Sequence, residues 1–418
     1  MSIKLRLTLM SFLQFFVWGA WLITIGVYWF DTKKWSGVDF GAAFSTLALA
    51  SIFMPAITGI IADKWINAER LYGLLQIGYG ITLFFLPGVD NPATFYWVML
   101  VAMFFYMPTI SLSNSIAYNI LKNNDYDVVK VFPPIRVWGT VGFIVAMWCT
   151  NLSGSKDNGN QFLIGAVMAI VLGIFAFTLP KCPPQKAISE KASIVEQLGL
   201  NAFKLFKNSK IAMFFFFSLF LGAALQLTNM YGDAFLSGFK FDPLYKDSSV
   251  VRYSTLIMSI SQVSETLFIL AIPFFLKRFG IKKVMLISMI AWVLRFGFFS
   301  FGNPEGFGLM LIVMSNIVYG MAFDFFNISG SLFVETTTDS KIRASAQGLF
   351  MMMTNGFGAY LGAKVSGYLI DNFFTQGGVK DWHNIWLSFA GYALVIAVLF
   401  AIFFKHKHNP NDVTNLSH

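Results

Sequence analysis

Charge is scarce in this sequence: 12% of its 418 residues are Asp, Glu, Lys or Arg, about half the share of an ordinary soluble domain. That scarcity excludes a soluble protein, because no globular core could hide 48 Phe, 19 Met and 11 Trp among so few polar neighbours. The solvent has to be a lipid bilayer. Cysteine is nearly absent as well. Cys149 and Cys182 fall on unlike segments, which leaves no disulfide framework, no CxxC and no redox motif. The four histidines, His383, His406, His408 and His418, lie near the C-terminal end and share no helical face with Asp or Glu at metal-ligand spacing. No metal and no cofactor is signalled. There is no GxSxG elbow, no HExxH and no GxxxxGK[ST] loop, so neither a membrane enzyme with a catalytic residue set nor a built-in ATP motor is expected.

What the sequence has instead is apolar length. Windows of about 20 apolar residues, enough to cross a ~30 Å hydrocarbon core, fall at 7–30, 41–62, 71–88, 93–121, 134–152, 162–180, 211–237, 250–276, 284–302, 306–334, 343–370 and 385–404. They predict an all-α integral membrane protein of twelve transmembrane helices. The first window follows Lys4 and Arg6 as a signal peptide would, but it runs too long, holds Trp18, Trp21 and Trp29, and lacks a small-residue cleavage site. It reads as a retained helix.

The net charge of +9 does not indicate a nucleic-acid partner, because the charges sit in short loops between the windows. With both termini in the cytoplasm, 20 of the 30 Lys and Arg lie inside, 7 outside and 3 within helices, the bias expected of that orientation. The longest polar stretch, 181–210, opens Pro180-Lys181-Cys182-Pro183-Pro184 and is rich in lysine, which suits contact with anionic lipid. It predicts four parts: a six-helix bundle over 1–180, a cytoplasmic linker over 181–210, a second six-helix bundle over 211–404 and a cytoplasmic tail over 405–418.

A charge buried in lipid costs several kcal/mol on insertion scales unless it faces protein or a water-filled cavity, so each is a functional candidate. Glu265, Asp324 and Arg295 lie mid-helix, and Arg136 lies near the start of the fifth window. Asp233 and Lys364 stand near helix ends, where snorkelling accounts for them. Gln262 precedes Glu265 by three residues, on the same face. Gln226 and Asn229 repeat that spacing in the seventh window. Amides and a carboxylate one turn apart suit the hydroxyls of an uncharged ligand, although amides in membranes also bind one another across helices. Arg136, Thr140 and Phe143 follow at i, i+4 and i+7 after the Phe132-Pro133-Pro134 run, which suits a helix start. Cation, hydroxyl and ring in a row could grip a planar heterocycle, or Arg136 could anchor the helix end or pair with a carboxylate. In the tenth window Tyr319 and Phe323 are four apart, and Asp324 turns toward Asn327 and Ser331. Desolvation makes Glu265 and Asp324 the natural carriers of a coupled proton. Arg295 could pair with either, and in that case Asp324 would be a structural lock.

The loop after the second window reads Gly59-Ile60-Ile61-Ala62-Asp63-Lys64, and the loop after the eighth reads Pro273-Phe274-Phe275-Leu276-Lys277-Arg278-Phe279-Gly280. Both resemble the helix 2–3 loop of the major facilitator superfamily, with Gly59, Asp63 and Lys64 in one copy and Lys277, Arg278 and Gly280 in the other. Ile66 and Asn67 replace the Gly and Arg of that pattern, and Lys277 replaces its Asp. Longer runs are more specific. Ser11-Phe12-Leu13-Gln14-Phe15 with Trp18-Gly19-Ala20-Trp21, Phe132-Pro133-Pro134-Ile135-Arg136-Val137-Trp138-Gly139-Thr140, Ser259-Ile260-Ser261-Gln262-Val263-Ser264-Glu265-Thr266-Leu267, Ala322-Phe323-Asp324-Phe325-Phe326-Asn327-Ile328-Ser329-Gly330 and Arg343-Ala344-Ser345-Ala346-Gln347-Gly348 resemble the bacterial nucleoside:H⁺ symporter family of that superfamily.

The resemblance spans the chain and implies a 6+6 fold, usually monomeric, that takes up nucleosides such as uridine or adenosine with H⁺ across the bacterial inner membrane by alternating access. It places the substrate pocket between the halves. The matching positions are Arg136, Thr140, Phe143, Gln226, Asn229, Gln262, Glu265, Tyr319 and Phe323, with Asp324 and Glu265 for the proton. A sugar or oligosaccharide symporter of the same fold is the rival, since the same amides, carboxylate and rings serve a pyranose.

Overall fold

The computed structural model describes residues 2–184, 200–339 and 342–406. Lys186, Glu190, Lys191 and Glu196 of the expected linker, with His408 and His418 of the expected tail, lie outside the described residues. Backbone contacts divide the chain into two compact units, Met1–Leu198 and Gly199–His418. Among the described helices α2, α3, α4, α5, α7, α8, α9 and α12, bounded below, are long and apolar enough to cross a membrane.

The first unit holds α1 (Ile3–Gly19), α2 (Gly37–Lys64), α3 (Ala68–Phe85), α4 (Pro92–Asn123), α5 (Val128–Leu152) and the shorter apolar α6 (Asn160–Ala176). Its core runs through Leu7, Met10, Leu13, Tyr72, Ile116, Ile120 and Leu172. α1 packs on α5 and α6, α2 on α4, and α3 on α4 and α6. A buried polar knot ties three of these helices: Gln14 on α1 donates to Thr109 Oγ1 (2.9 Å) and accepts from Tyr72 (2.6 Å) and Gln76 (2.7 Å). In low dielectric such a knot is costly unless its members are bonded, so it fixes one helix register.

Two boundaries differ from the sequence expectation. The first window is not one helix. The Thr150 hydroxyl donates to the Ala20 carbonyl (2.8 Å), and the chain leaves the helical ladder there for a turn, a single helical turn at Ile25–Val27 and a π-helical turn at Tyr28–Thr32. The fifth helix starts at Val128 rather than at the prolines, because the Asp127 side chain accepts from Lys130 N (3.2 Å) and caps it. Pro133 and Pro134 lie inside that helix.

The second unit holds α7 (Ser209–Gly238), α8 (Ser254–Phe301), α9 (Gly306–Thr337), α10 (Arg343–Met351), α11 (Ala359–Phe373) and α12 (Trp382–Phe403). A continuous 48-residue helix would be about 70 Å long, more than twice a bilayer core. Gly280, at φ 76 and ψ 169, divides α8 into two arms, 254–279 and 281–301. That backbone conformation is essentially restricted to glycine. The window at 343–370 is likewise interrupted, since a π-helical segment at Met352–Gly358 joins α10 to α11. A two-residue hairpin, β1 (Thr375–Gln376) with β2 (Val379–Lys380), links α11 to α12. Gly377 and Gly378, at φ 58 and 82, supply the turn, and Asp381 then caps α12 by accepting from Asn384 N (3.1 Å).

Cys149 and Cys182 are free. Burial, with Glu69 nearby, pushes the Cys182 thiol up to about 12, so it is inert near neutral pH. Among the described residues no His, Cys, Asp and Glu cluster could hold a metal.

Candidate functional site

In the second unit five of the candidates lie on α8 and α9, Tyr319 and Asp324 buried and Gln262, Glu265 and Phe323 half-buried. Gln262 and Glu265 come from the first arm of α8, and Tyr319, Phe323 and Asp324 from α9. The two helices approach closely because a Cβ on Gly320 would meet the Ser264 carbonyl oxygen at 2.6 Å. Ser264 Oγ also donates to the Ile317 carbonyl. Tyr319 lies beside Gln262 and within electrostatic reach of Glu265, Arg295 and Asp324. Glu265 and Asp324 act on each other as well. The rings of Tyr319 and Phe323 lie 6.2 Å apart and 11° from parallel, while Trp292 meets Tyr319 edge-on at 5.9 Å.

The arginine does not lock Asp324. Arg295 gives its donors to Thr228 Oγ1 (3.1 Å), Ser261 Oγ (3.2 Å) and the Ser315 carbonyl (2.8 Å), and its guanidinium carbon sits 4.5 Å from the centre of the Tyr319 ring. Asp324 is 6% exposed, and its Oδ2 has no hydrogen-bond partner among the described residues. Ser331, on the stripe expected to face Asp324, bonds Gln347 instead. Gln226 and Asn229 flank Thr228 on α7, so Arg295 links their helix to the others.

Beside Phe323 lies a narrow cleft whose lining includes Leu225, Trp292, Asn327, Thr354 and Asn355. The sequence reading missed Trp292, Thr354 and Asn355. The only signal was polar residues inside Met351-Met352-Met353-Thr354-Asn355-Gly356. Their position follows from the π-helical segment, a deviation frequent at functional sites, and from Gly222 and Gly358, where a Cβ would meet the carbonyls of Thr354 and Leu219 at 2.0 and 2.1 Å.

In the first unit Arg136, Thr140 and Phe143 share a stripe of α5 as expected. Arg136 stacks its guanidinium over the Phe15 ring at 4.0 Å. Phe143 packs edge-on against Trp18 at 6.3 Å, and Trp18 sits 5.5 Å from Tyr106. Gly19 and Gly142 allow this, because Cβ atoms there would strike the Phe143 and Phe12 carbonyl oxygens at 2.6 and 2.1 Å. A cation over a ring and an aromatic cluster thus line the contact of α1 with α5.

The two loop copies are placed less tightly. Asp63, Lys277 and Arg278 are exposed and Gly59 has open space around it; Lys64 ends α2. The turn between α2 and α3 is held by a residue outside the motif. Glu69 Oε2 accepts from Cys182 N (2.8 Å), its Oε1 accepts from Asn67 (3.1 Å), and Ala68 N donates to the Cys182 carbonyl (3.0 Å). Asp233 does not snorkel either: it is fully buried and accepts from Thr255 (3.0 Å).

Comparison with known proteins decides the class. The family described as "Nucleoside H+ symporter" matches residues 1–409. The chain belongs to the nucleoside H⁺ symporter family. Two Escherichia coli (strain K12) relatives in line with that family are the nucleoside permease NupG, 51% identical over the whole of both chains, and the xanthosine permease, 52% identical over 99% of this chain and 98% of the relative. The crystal structure of the nucleoside transporter NupG superposes with a TM-score of 0.91, covering 97% of this symporter-family chain and all of the other, and a point mutant of it gives 0.94 over the same shares. The family consists of transporters, so the chain is a membrane transporter and not an enzyme.

Proposed function

We propose that this protein takes up nucleosides together with protons across a bacterial inner membrane, as a monomer of twelve spans arranged six and six with both termini cytoplasmic. One observation carries the chemistry: Asp324, buried on α9 with no hydrogen-bond partner for its Oδ2 among the described residues, adjoins the stacked ring pair of Tyr319 and Phe323. A nucleoside offers ribose hydroxyls, a polar base edge and a π face but no charge. Gln262 and Glu265 read the ribose, while Gln226, Asn229 and Thr140 reach polar edges. Phe143, Tyr319 and Phe323 wall the base, and Arg136 donates to a base carbonyl. Glu265 and Asp324 carry the proton, since a carboxyl in a low-dielectric site can exchange one at modest cost only when its charged form is poorly solvated.

The test is radiolabelled uridine uptake into proteoliposomes with and without an inward proton gradient, for the parent chain, Glu265→Gln and Asp324→Asn. The expected result is gradient-driven accumulation by the parent and, for the coupling carboxylate, a variant that retains uridine exchange but loses the drive. Uptake blocked by free sugars and not by nucleosides would assign the substrate to the rival class.

A further inference from the structure

A guanidinium is always charged, and burying one without an acidic partner is among the costlier things a chain can do. Arg295 is fully buried. Among the described residues it forms no ion pair, and its Nη2 has no hydrogen-bond partner. What it does touch is informative. Its anchors stand beside the substrate candidates on every helix: Thr228 lies between Gln226 and Asn229 on α7, Ser261 precedes Gln262 on α8, and Ser315 is one turn before Tyr319 on α9. Its charge rests on the Tyr319 ring, and Tyr319 in turn stacks on Phe323 with ring centres 6.2 Å apart. Ser261 passes the link on by donating to Asn316 Oδ1 (2.7 Å), and Ser315 Oγ returns a bond to the Arg295 carbonyl (2.8 Å).

We propose that Arg295 is a positioning residue for substrate recognition, a fork that sets the mutual register of α7, α8 and α9 so that their polar side chains meet the nucleoside together. This rests on the nucleoside-transport reading above. A lysine keeps the charge but cannot hold three acceptors in one plane, so the fork and the charge can be separated.

The experiment measures KM and maximal rate of uridine counterflow in proteoliposomes, beside thermal melting in detergent, for the parent, Arg295→Lys, Thr228→Val, Ser261→Ala and the Arg295→Lys/Ser261→Ala pair. Loss of one anchor is expected to raise KM about fivefold, the worth of one hydrogen bond of ~1 kcal/mol, with the maximal rate nearly unchanged. Arg295→Lys is expected to raise KM by roughly tenfold or more, and Ser261→Ala to add nothing in that background, since both act through one fork. Additive effects, or parental KM with only a lowered melting temperature, would overturn the proposal and leave a packing role. If Arg295→Lys fails to insert, Thr228→Val and Ser261→Ala decide alone: raised KM at the parental melting temperature supports the fork, and parental KM rejects it. A parent chain that exchanges no nucleoside fails at the transport reading itself, whereas a parent that exchanges it while both anchor variants keep its KM fails only at Arg295.

Discussion

Tyr319 does three things with one side chain. Its ring carries the Arg295 charge, its face continues into Phe323, and its hydroxyl is placed beside Gln262. Removing only the hydroxyl separates the third from the others. Tyr319→Phe should therefore leave expression and melting near parental and raise the KM for uridine about fivefold, as expected for ~1 kcal/mol lost from one hydrogen bond; counterflow kinetics measure it. Most side chains of this group were legible in the sequence because polar residues are expensive in a membrane and therefore few. Their partners were not. The sequence left Arg295 free to pair with either carboxylate, but it is held by hydroxyls and a carbonyl on three helices, and hydroxyls leave no charge pattern to read. Glu69 was missed for a similar reason: its partner, Cys182, is 113 residues away and engages through its backbone.

At the scale of the helix, the bilayer makes existence easy to read and interruption hard. Apolar windows of membrane-spanning length mark where helices are, whatever their backbone does inside. At the break after Gly19 the Ala20 carbonyl accepts from the Thr150 hydroxyl, 130 residues away, and the π-helical segment at Met352–Gly358 lies inside a single apolar window. Gly280 is the exception, since the sequence places it in the loop between the eighth and ninth windows, and the backbone does turn there between two helical arms. Its φ of 76 with ψ of 169 costs any side chain about 1–3 kcal/mol. Gly280→Ala should lower the melting temperature by several degrees and reduce yield in the membrane, without changing the KM of the molecules that fold, and a detergent melt beside counterflow kinetics checks both halves of that statement. The corresponding Gly59, helical and with open space around it, should accept alanine without loss.

For the molecule as a whole, the proposed orientation rests on the distribution of Lys and Arg between alternate loops. A reporter enzyme active only in the periplasm should be silent when fused after residue 406, and one active only in the cytoplasm should work there. The reverse pattern would invert the topology and, with it, the direction of uptake. A lysine-rich stretch interrupts the apolar windows of the sequence, and backbone contacts group the chain into two compact units, Met1–Leu198 and Gly199–His418. Family membership adds the cargo class, which composition alone could not separate from sugars.

The hairpin between α11 and α12 offers a practical handle. Its turn needs positive φ at both Gly377 and Gly378, its two strands are only two residues each, and Asp381 restarts the helix immediately afterwards through its own cap. The next helix is therefore begun by local bonds on its own side of the turn, not by the turn itself. A short peptide epitope spliced between Gly377 and Gly378 should leave uridine uptake intact. Displayed there, it would let an antibody added to intact spheroplasts report which face of the membrane the hairpin occupies.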